Sequence, residues 1–226
     1  MWKTFISAIR SEDNLYVQAL KESYSMLDLD LTMYEASVES LRHSDSGEMD
    51  IDVYALDKQI NEYERDVRKK IMTHLSVTGA RDLAPGLVLV SVVIDIERIG
   101  DYTKNICDMA RNHPKKLDAT PLEEQLQEVE AGVSDIFRHM IAAFKSSDEE
   151  SAKQIMSDYK ETISGSCDQI TNKIVSGKVE MTPSADAAAV ALYARYLKRI
   201  AAHSRNIITS VVNPFDRIGY KYQESD

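Results

Sequence analysis

The sequence predicts an all-α fold built as two tandem three-helix bundles, and three observations predict it. Turn-formers are scarce: 226 residues contain only 8 Gly and 5 Pro, whereas a β-sandwich or barrel needs a turn every ~8–12 residues. Between the prolines, apolar residues recur at three- and four-residue intervals. The pattern also occurs twice. A shift of 101 residues lays Arg98-Ile99-Gly100 on Arg199-Ile200-Ala201 and Thr103-Lys104-Asn105-Ile106 on Ser204-Arg205-Asn206-Ile207. The nine positions 98–106 hold four identities and three conservative pairs against 199–207, which points to an internal duplication.

The first helix is expected from about Glu12 to Arg42, on Leu15, Leu20, Met26, Leu27, Leu31, Met33, Tyr34, Val38 and Leu41. The polar run His43 to Glu48, with Gly47, breaks it. A second helix runs from about Asp50 to Leu75 on Val53, Leu56, Ile60, Tyr63, Val67 and Ile71, and Gly79 ends it. Asp82 or Ala84-Pro85 opens a third, because proline suits a first turn. It lasts until His113-Pro114. Thr120-Pro121-Leu122-Glu123 reads as a cap opening a fourth helix to about Lys145. Ser147-Asp148-Glu149-Glu150 caps a fifth, to about Val175, and Thr182-Pro183-Ser184 opens a sixth that ends at Asn213-Pro214. The expected units are residues 1–115, residues 116–213 and an unstructured polar tail, 214–226.

Composition narrows the function. With 27 Lys+Arg against 37 Asp+Glu the net charge is −10, and so acidic a surface repels nucleic acid and anionic lipid. The longest uncharged stretch, Leu83 to Ile94, falls far short of the roughly 20 residues of a membrane helix. Arg10 and Glu12 interrupt the apolar start, so no signal-peptide core forms. Cys107 and Cys167 lack CxxC spacing and suit a reduced, cytoplasmic thiol pair. Trp2, Phe5, Ile6 and Ile9 make a short apolar edge suited to packing or a dimer contact, with membrane-surface docking a lesser alternative. Leu15, Val17, Met26 and Met33 add apolar surface to the first helix and predict a homodimer or larger assembly.

The third helix carries the chemistry. Val92, Ile96, Ile99, Thr103, Ile106 and Ala110 form one side; Glu97, Asp101, Asn105 and Asp108 form the other. Glu97 and Asp101 stack one turn apart, roughly 6 Å between them, and two stacked acids repel. A multivalent cation would turn that repulsion into a gain. A solvated acidic face satisfies the same spacing. On the second helix Asp57, Asn61 and Glu64 flank the apolar stripe, where an antiparallel neighbour would bring Asp57 or Asn61 beside Glu97 or Asp101. No histidine follows a Glu by three residues, so the ExxH pair of di-iron oxidation enzymes is missing. No P-loop, GxGxxG, HExxH or GxSxG occurs.

Asp95-Ile96-Glu97-Arg98-Ile99-Gly100-Asp101-Tyr102-Thr103-Lys104-Asn105-Ile106 resembles the signature of the PhoU family of phosphate-signalling regulators, in which the third helix of each bundle carries an acid-xxx-Asp element. Asp57-Lys58-Gln59-Ile60-Asn61-Glu62 resembles the partner element on the second helix. The resemblance spans essentially the whole chain. It implies a metal site on Glu97, Asp101, Asp57 and Asn61, holding iron or zinc. It also implies a non-catalytic regulator working through contact with a phosphate transporter, of ABC or sodium–phosphate cotransporter type, or with a sensor histidine kinase. Such a chain would be cytoplasmic, reaching the inner face of the membrane only through its partner. The competing functions are a carboxylate-bridged metalloenzyme and a metal-free helical scaffold.

This sequence departs from the family pattern in three places. Asn61 replaces an acid, and in the second half Lys198 and Ala202 stand where Glu and Asp are expected. The halves are therefore expected to have diverged. The first would hold metal; in the second, Lys198 would pair with Asp158, with Thr162 in place of Asn61.

Overall fold

The computed structural model describes residues 14–113, 115–158 and 163–222, and these form helices joined by short turns. Helix α1 is Leu15–His43, α2 is Val53–Thr78 and α3 is Leu83–Asn112. The second repeat contains α4, Glu123–Ser146; α5, Glu149–Asp158; α6, Ser164–Val175; and α7, Ser184–Val212. The predicted fifth helix is thus present as α5 and α6, with residues 159–162 outside the described set. Trp2, Phe5, Ile6, Ile9 and Thr162 also lie outside it. No described helix is long and apolar enough to cross a membrane.

The helix starts follow local chemistry. The Asn14 side chain accepts from Tyr16 N at 2.8 Å, and Asp52 Oδ1 accepts from Tyr54 N and Ala55 N, both at 3.1 Å. These bonds satisfy amides that a first turn leaves unpaired. Asp148 caps α5 through Glu150 N at 3.1 Å, as its sequence suggests. Thr120 does not cap α4. Leu122 holds the cap position without a side-chain bond, and the expected capping acid, Glu123, accepts from Ala119 N at 3.3 Å through one oxygen and pairs with Arg42 through the other. Asp82 likewise turns away from α3 to bind His74 Nε2 at 2.8 Å. Gly47, between α1 and α2, sits at φ +66, and a Cβ there would lie 2.5 Å from the Ala110 carbonyl.

Each repeat packs its own helices: α1, α2 and α3 in the first, and α4 to α7 in the second. The repeats meet along two antiparallel pairs. In α3–α7, Asp95 Oδ1 binds His203 Nδ1 at 2.6 Å and accepts from Asn206 Nδ2 at 3.1 Å. The Tyr102 ring stacks on His203 with centroids 5.7 Å apart. In α1–α4, Tyr34 meets Phe137 edge-on at 5.7 Å, Glu35 accepts from Arg138 Nη2 at 2.8 Å and Asp28 from Lys145 Nζ at 2.5 Å. A single apolar core runs through both repeats. Met26 and Met33, read from the sequence as outward-facing, are fully buried in that core. Buried there, they supply no surface for a second copy.

Residues 215–217, read as unstructured tail, form a short 3-10 turn. Asn213 Nδ2 fastens the segment by donating to the carbonyls of Arg217 at 3.0 Å and Tyr220 at 2.9 Å. Both cysteines are free and buried. Burial pushes the Cys167 thiol up to about 12 and raises Cys107 as well, so neither offers a thiolate at neutral pH.

Arg42, in the last turn of α1, ties the first repeat to the second. Its Nη1 donates to the Leu117 carbonyl at 2.7 Å, its Nη2 pairs with Glu123, and its Nε lies 2.7 Å from Glu130 Oε1. The Arg42 and Glu130 side chains are 5% and 15% exposed. Removing one partner from such a pair leaves the other charged and poorly hydrated. Arg42→Ala is expected to lower unfolding free energy by about 3 kcal/mol, read from the urea midpoint at constant m-value. Glu130→Gln in that background should recover part of the loss, because it removes the stranded charge.

Candidate functional site

The seam between α2 and α3 collects the predicted site residues, and its antiparallel register decides which of them meet. Tyr54 OH donates to Asp108, Asp57 faces Lys104, and Glu64 lies close enough to Glu97 to raise its pKa. Asp57 therefore stands opposite a lysine. Lys104 Nζ is 2.8 Å from Asp57 Oδ2 and 3.3 Å from Asp101 Oδ1, bridging the two carboxylates. The other Asp101 oxygen, Oδ2, accepts from Arg98 Nη1 at 2.9 Å, and Arg98 Nε lies 3.6 Å from Glu97 Oε2. Asn61 turns its amide nitrogen to Asp57, donating to the backbone carbonyl at 2.9 Å and to Oδ2 at 3.4 Å.

The electrostatics follow from this crowding. Burial, then the neighbouring Asp101, raises the Glu97 carboxyl above its usual range. Partial burial works against the charge on Lys104. The bonds and charges of Asp57 and Asp101 outweigh it, and its pKa ends above the ordinary lysine value. The ammonium stays charged at any physiological pH.

Beneath the seam lies a residue that periodicity did not single out. Asp30, on α1, is fully buried, and neither of its carboxylate oxygens has a hydrogen-bond partner. Burial, followed by the charges of Asp57, Glu97 and Asp101, raises its pKa well above the usual range. Its Oδ1 would lie 2.8 Å from a Cβ on Gly100, so the glycine between Glu97 and Asp101 makes room for this carboxyl. In the second repeat the 101-residue shift gives Ala131 and Ala201 at these two positions, and the acid and its glycine are lost together.

The family's metal can be tested against these residues. The carboxylates are hard oxygen donors of the right chemical kind. Their arrangement does not fit an ion. Lys104 occupies the bridging position between Asp57 and Asp101, both Asp101 oxygens already have cationic partners, and Asn61 presents N–H rather than oxygen. Among the described residues no three His, Cys, Asp or Glu side chains converge on a common point.

In the second repeat Lys198 pairs with Asp168, Nζ to Oδ2 at 2.5 Å, with Arg195 3.7 Å from the same carboxylate. The partner expected from the shift was Asp158. That residue belongs to α5, whereas Asp168 belongs to α6. The side chain of Asp158 is outside the described set.

The PhoU domain family matches the chain twice, over residues 24–110 and 126–211. No curated protein matches it at the level of sequence. Among solved structures, PhoU from Pseudomonas aeruginosa superposes with a TM-score of 0.77 at 23% identity, covering 89% of this chain and 97% of that one. The phosphate transport system regulatory protein PhoU from Streptococcus pneumoniae gives 0.73 at 18% identity, covering 87% of this chain and 93% of that one. At these identities the two structures establish the fold alone.

Asp30 holds its proton more tightly folded than unfolded, so its contribution to stability is complete below about pH 4 and is lost as pH rises through the folded-state value. Asp30→Asn should remove that dependence. The stability of Asp30→Asn over wild type is expected to grow with pH above about 4, reaching about 1–3 kcal/mol, in urea titrations across pH. Gly100→Ala should cost about 1–3 kcal/mol by pressing on the carboxyl, and most of that cost should vanish in an Asp30→Ala background.

Proposed function

This chain belongs to the PhoU domain family, and on that premise we propose that it regulates phosphate transport and phosphate-starvation signalling. The carrying observation is the family match over both repeats, residues 24–110 and 126–211. The regulator works by protein contact. Its partners are a phosphate transporter, of ABC or sodium–phosphate cotransporter type, or the sensor kinase that governs the same response. The net charge of −10 supports a protein partner over nucleic acid or anionic lipid, since both of those repel it. Two buried thiols of raised pKa offer no nucleophile, which supports contact over turnover. The chain acts from the cytoplasm and reaches the membrane through its partner.

The reading is tested by deletion in the native host. Phosphate accumulation and expression of phosphate-starvation genes are expected to change, and the restored chain should reverse both. Tagged protein should capture a transporter subunit or a histidine kinase, in amounts that differ between high and low phosphate. Unchanged phosphate accumulation in a clean deletion strain counts decisively against the assignment.

A further inference from the structure

The acidic seam is already neutralised from within the chain. Lys104 reaches Asp57 at 2.8 Å and Asp101 at 3.3 Å, and Arg98 reaches Asp101 at 2.9 Å and Glu97 at 3.6 Å. A multivalent ion and an ammonium do the same electrostatic work here, drawing together carboxylates that would otherwise repel. They compete for the same space, because an ion bridging Asp57 and Asp101 must displace Lys104 Nζ. The second repeat repeats the device independently: Lys198, at the position aligned with Glu97, binds Asp168 at 2.5 Å.

We propose that lysine replaces metal in both repeats of this chain: Lys104 is the resident cation of the first acidic seam, Lys198 that of the second, and the first seam becomes a metal site only when Lys104 is removed. The asymmetry follows from what each lysine covers. Behind Lys104 stand Asp57, Asp101 and Glu97, with the buried Asp30 carboxyl beneath them. Asp57 and Asp101 lose their bridging partner when the ammonium goes, which leaves Asp57 Oδ2 and Asp101 Oδ1 unpaired beside Glu97 while Arg98 still holds Asp101 Oδ2. Behind Lys198 stands Asp168, already shared with Arg195. One monodentate carboxylate beside an arginine is too few oxygens for a hard ion.

The test is elemental analysis of full-length wild type and Lys104→Met, each purified without chelator, followed by titration with Fe²⁺, Zn²⁺ and Mn²⁺. Methionine keeps the length and apolar stem of lysine without its charge, and circular dichroism confirms that the variant is folded. Wild type is expected to hold only a small fraction of an ion per chain and to keep its melting temperature when metal is added. Lys104→Met should take up roughly one ion per chain and melt higher with metal, because a ligand bound only by the folded state stabilises it. Asp101→Asn in the Lys104→Met background should abolish the uptake, and Lys198→Met alone should gain nothing. Wild type carrying a full equivalent of metal that Asp101→Asn removes would overturn the proposal. So would a folded Lys104→Met that binds none of the three ions. Should Lys104→Met not fold, the metal content of wild type decides alone: an Asp101-dependent equivalent overturns the proposal, and its absence upholds it. None of these readouts depends on a phosphate phenotype, so the proposal and the regulatory assignment stand or fall separately.

Discussion

A three-helix repeat of this composition has more apolar face than it can bury by itself, and the molecule is organised around that constraint. Helix α1 carries buried residues on the side facing α2 and α3 and on the side facing α4, where Tyr34 meets Phe137. Helix α3 does the same, with Val88, Leu89, Val92 and Val93 all buried in one short run. Only a second repeat laid against the first covers both sets. Burial at ~25 cal/mol per Å² favours that association, since large side chains such as Tyr34 and Phe137 would otherwise meet water. The polar contacts along the join, Arg42 with Glu130 and Asp95 with His203, then fix the alignment of two surfaces that apolar packing alone would let slide.

Much of this was legible in the sequence because its signals are local. Asp148 sits where first-turn amides need an acceptor, and the stripe from Val92 to Ala110 is buried as its spacing indicates. The duplication could be read from nine positions. What escaped depends on partners distant in the chain. Met26 and Met33, read as surface, are buried in the core. Arg42 reaches Glu130 across the repeat boundary, and Asp82 abandons its cap for His74. The signature glycine carried a faint trace of Asp30, since a glycine inside a helix invites the question of what approaches it. Only the crossing of α1 over α3 supplies the answer.

The acidic seam shows why spacing alone could not settle its chemistry. Glu97 and Asp101 are one turn apart whatever occupies the space beside them, and so is Lys104 beside Asp101. The choice between a metal and a lysine depends on the α2–α3 register, which brings Lys104 rather than Asn61 into the gap between Asp57 and Asp101. Substituting one neutral amide for an acid and placing one ammonium nearby changes the charge balance of the seam without moving a helix.

The antiparallel crossing of α3 and α7 also gives the molecule a built-in direction. Each repeat turns back on itself just before its signature helix, at Gly79–Asp82 in the first and between Val175 and Ser184 in the second. Because those helices run oppositely, the two hairpin tips project from opposite poles. Val77 is 82% exposed at one tip and Val175 is 78% exposed at the other. Two homologous tips of different sequence, Gly79-Ala80-Arg81-Asp82 and Ser176-Gly177-Lys178-Val179-Glu180, face away from each other and make the two ends of the molecule distinct. A homodimer of single repeats would present identical ends and be read equally well upside down.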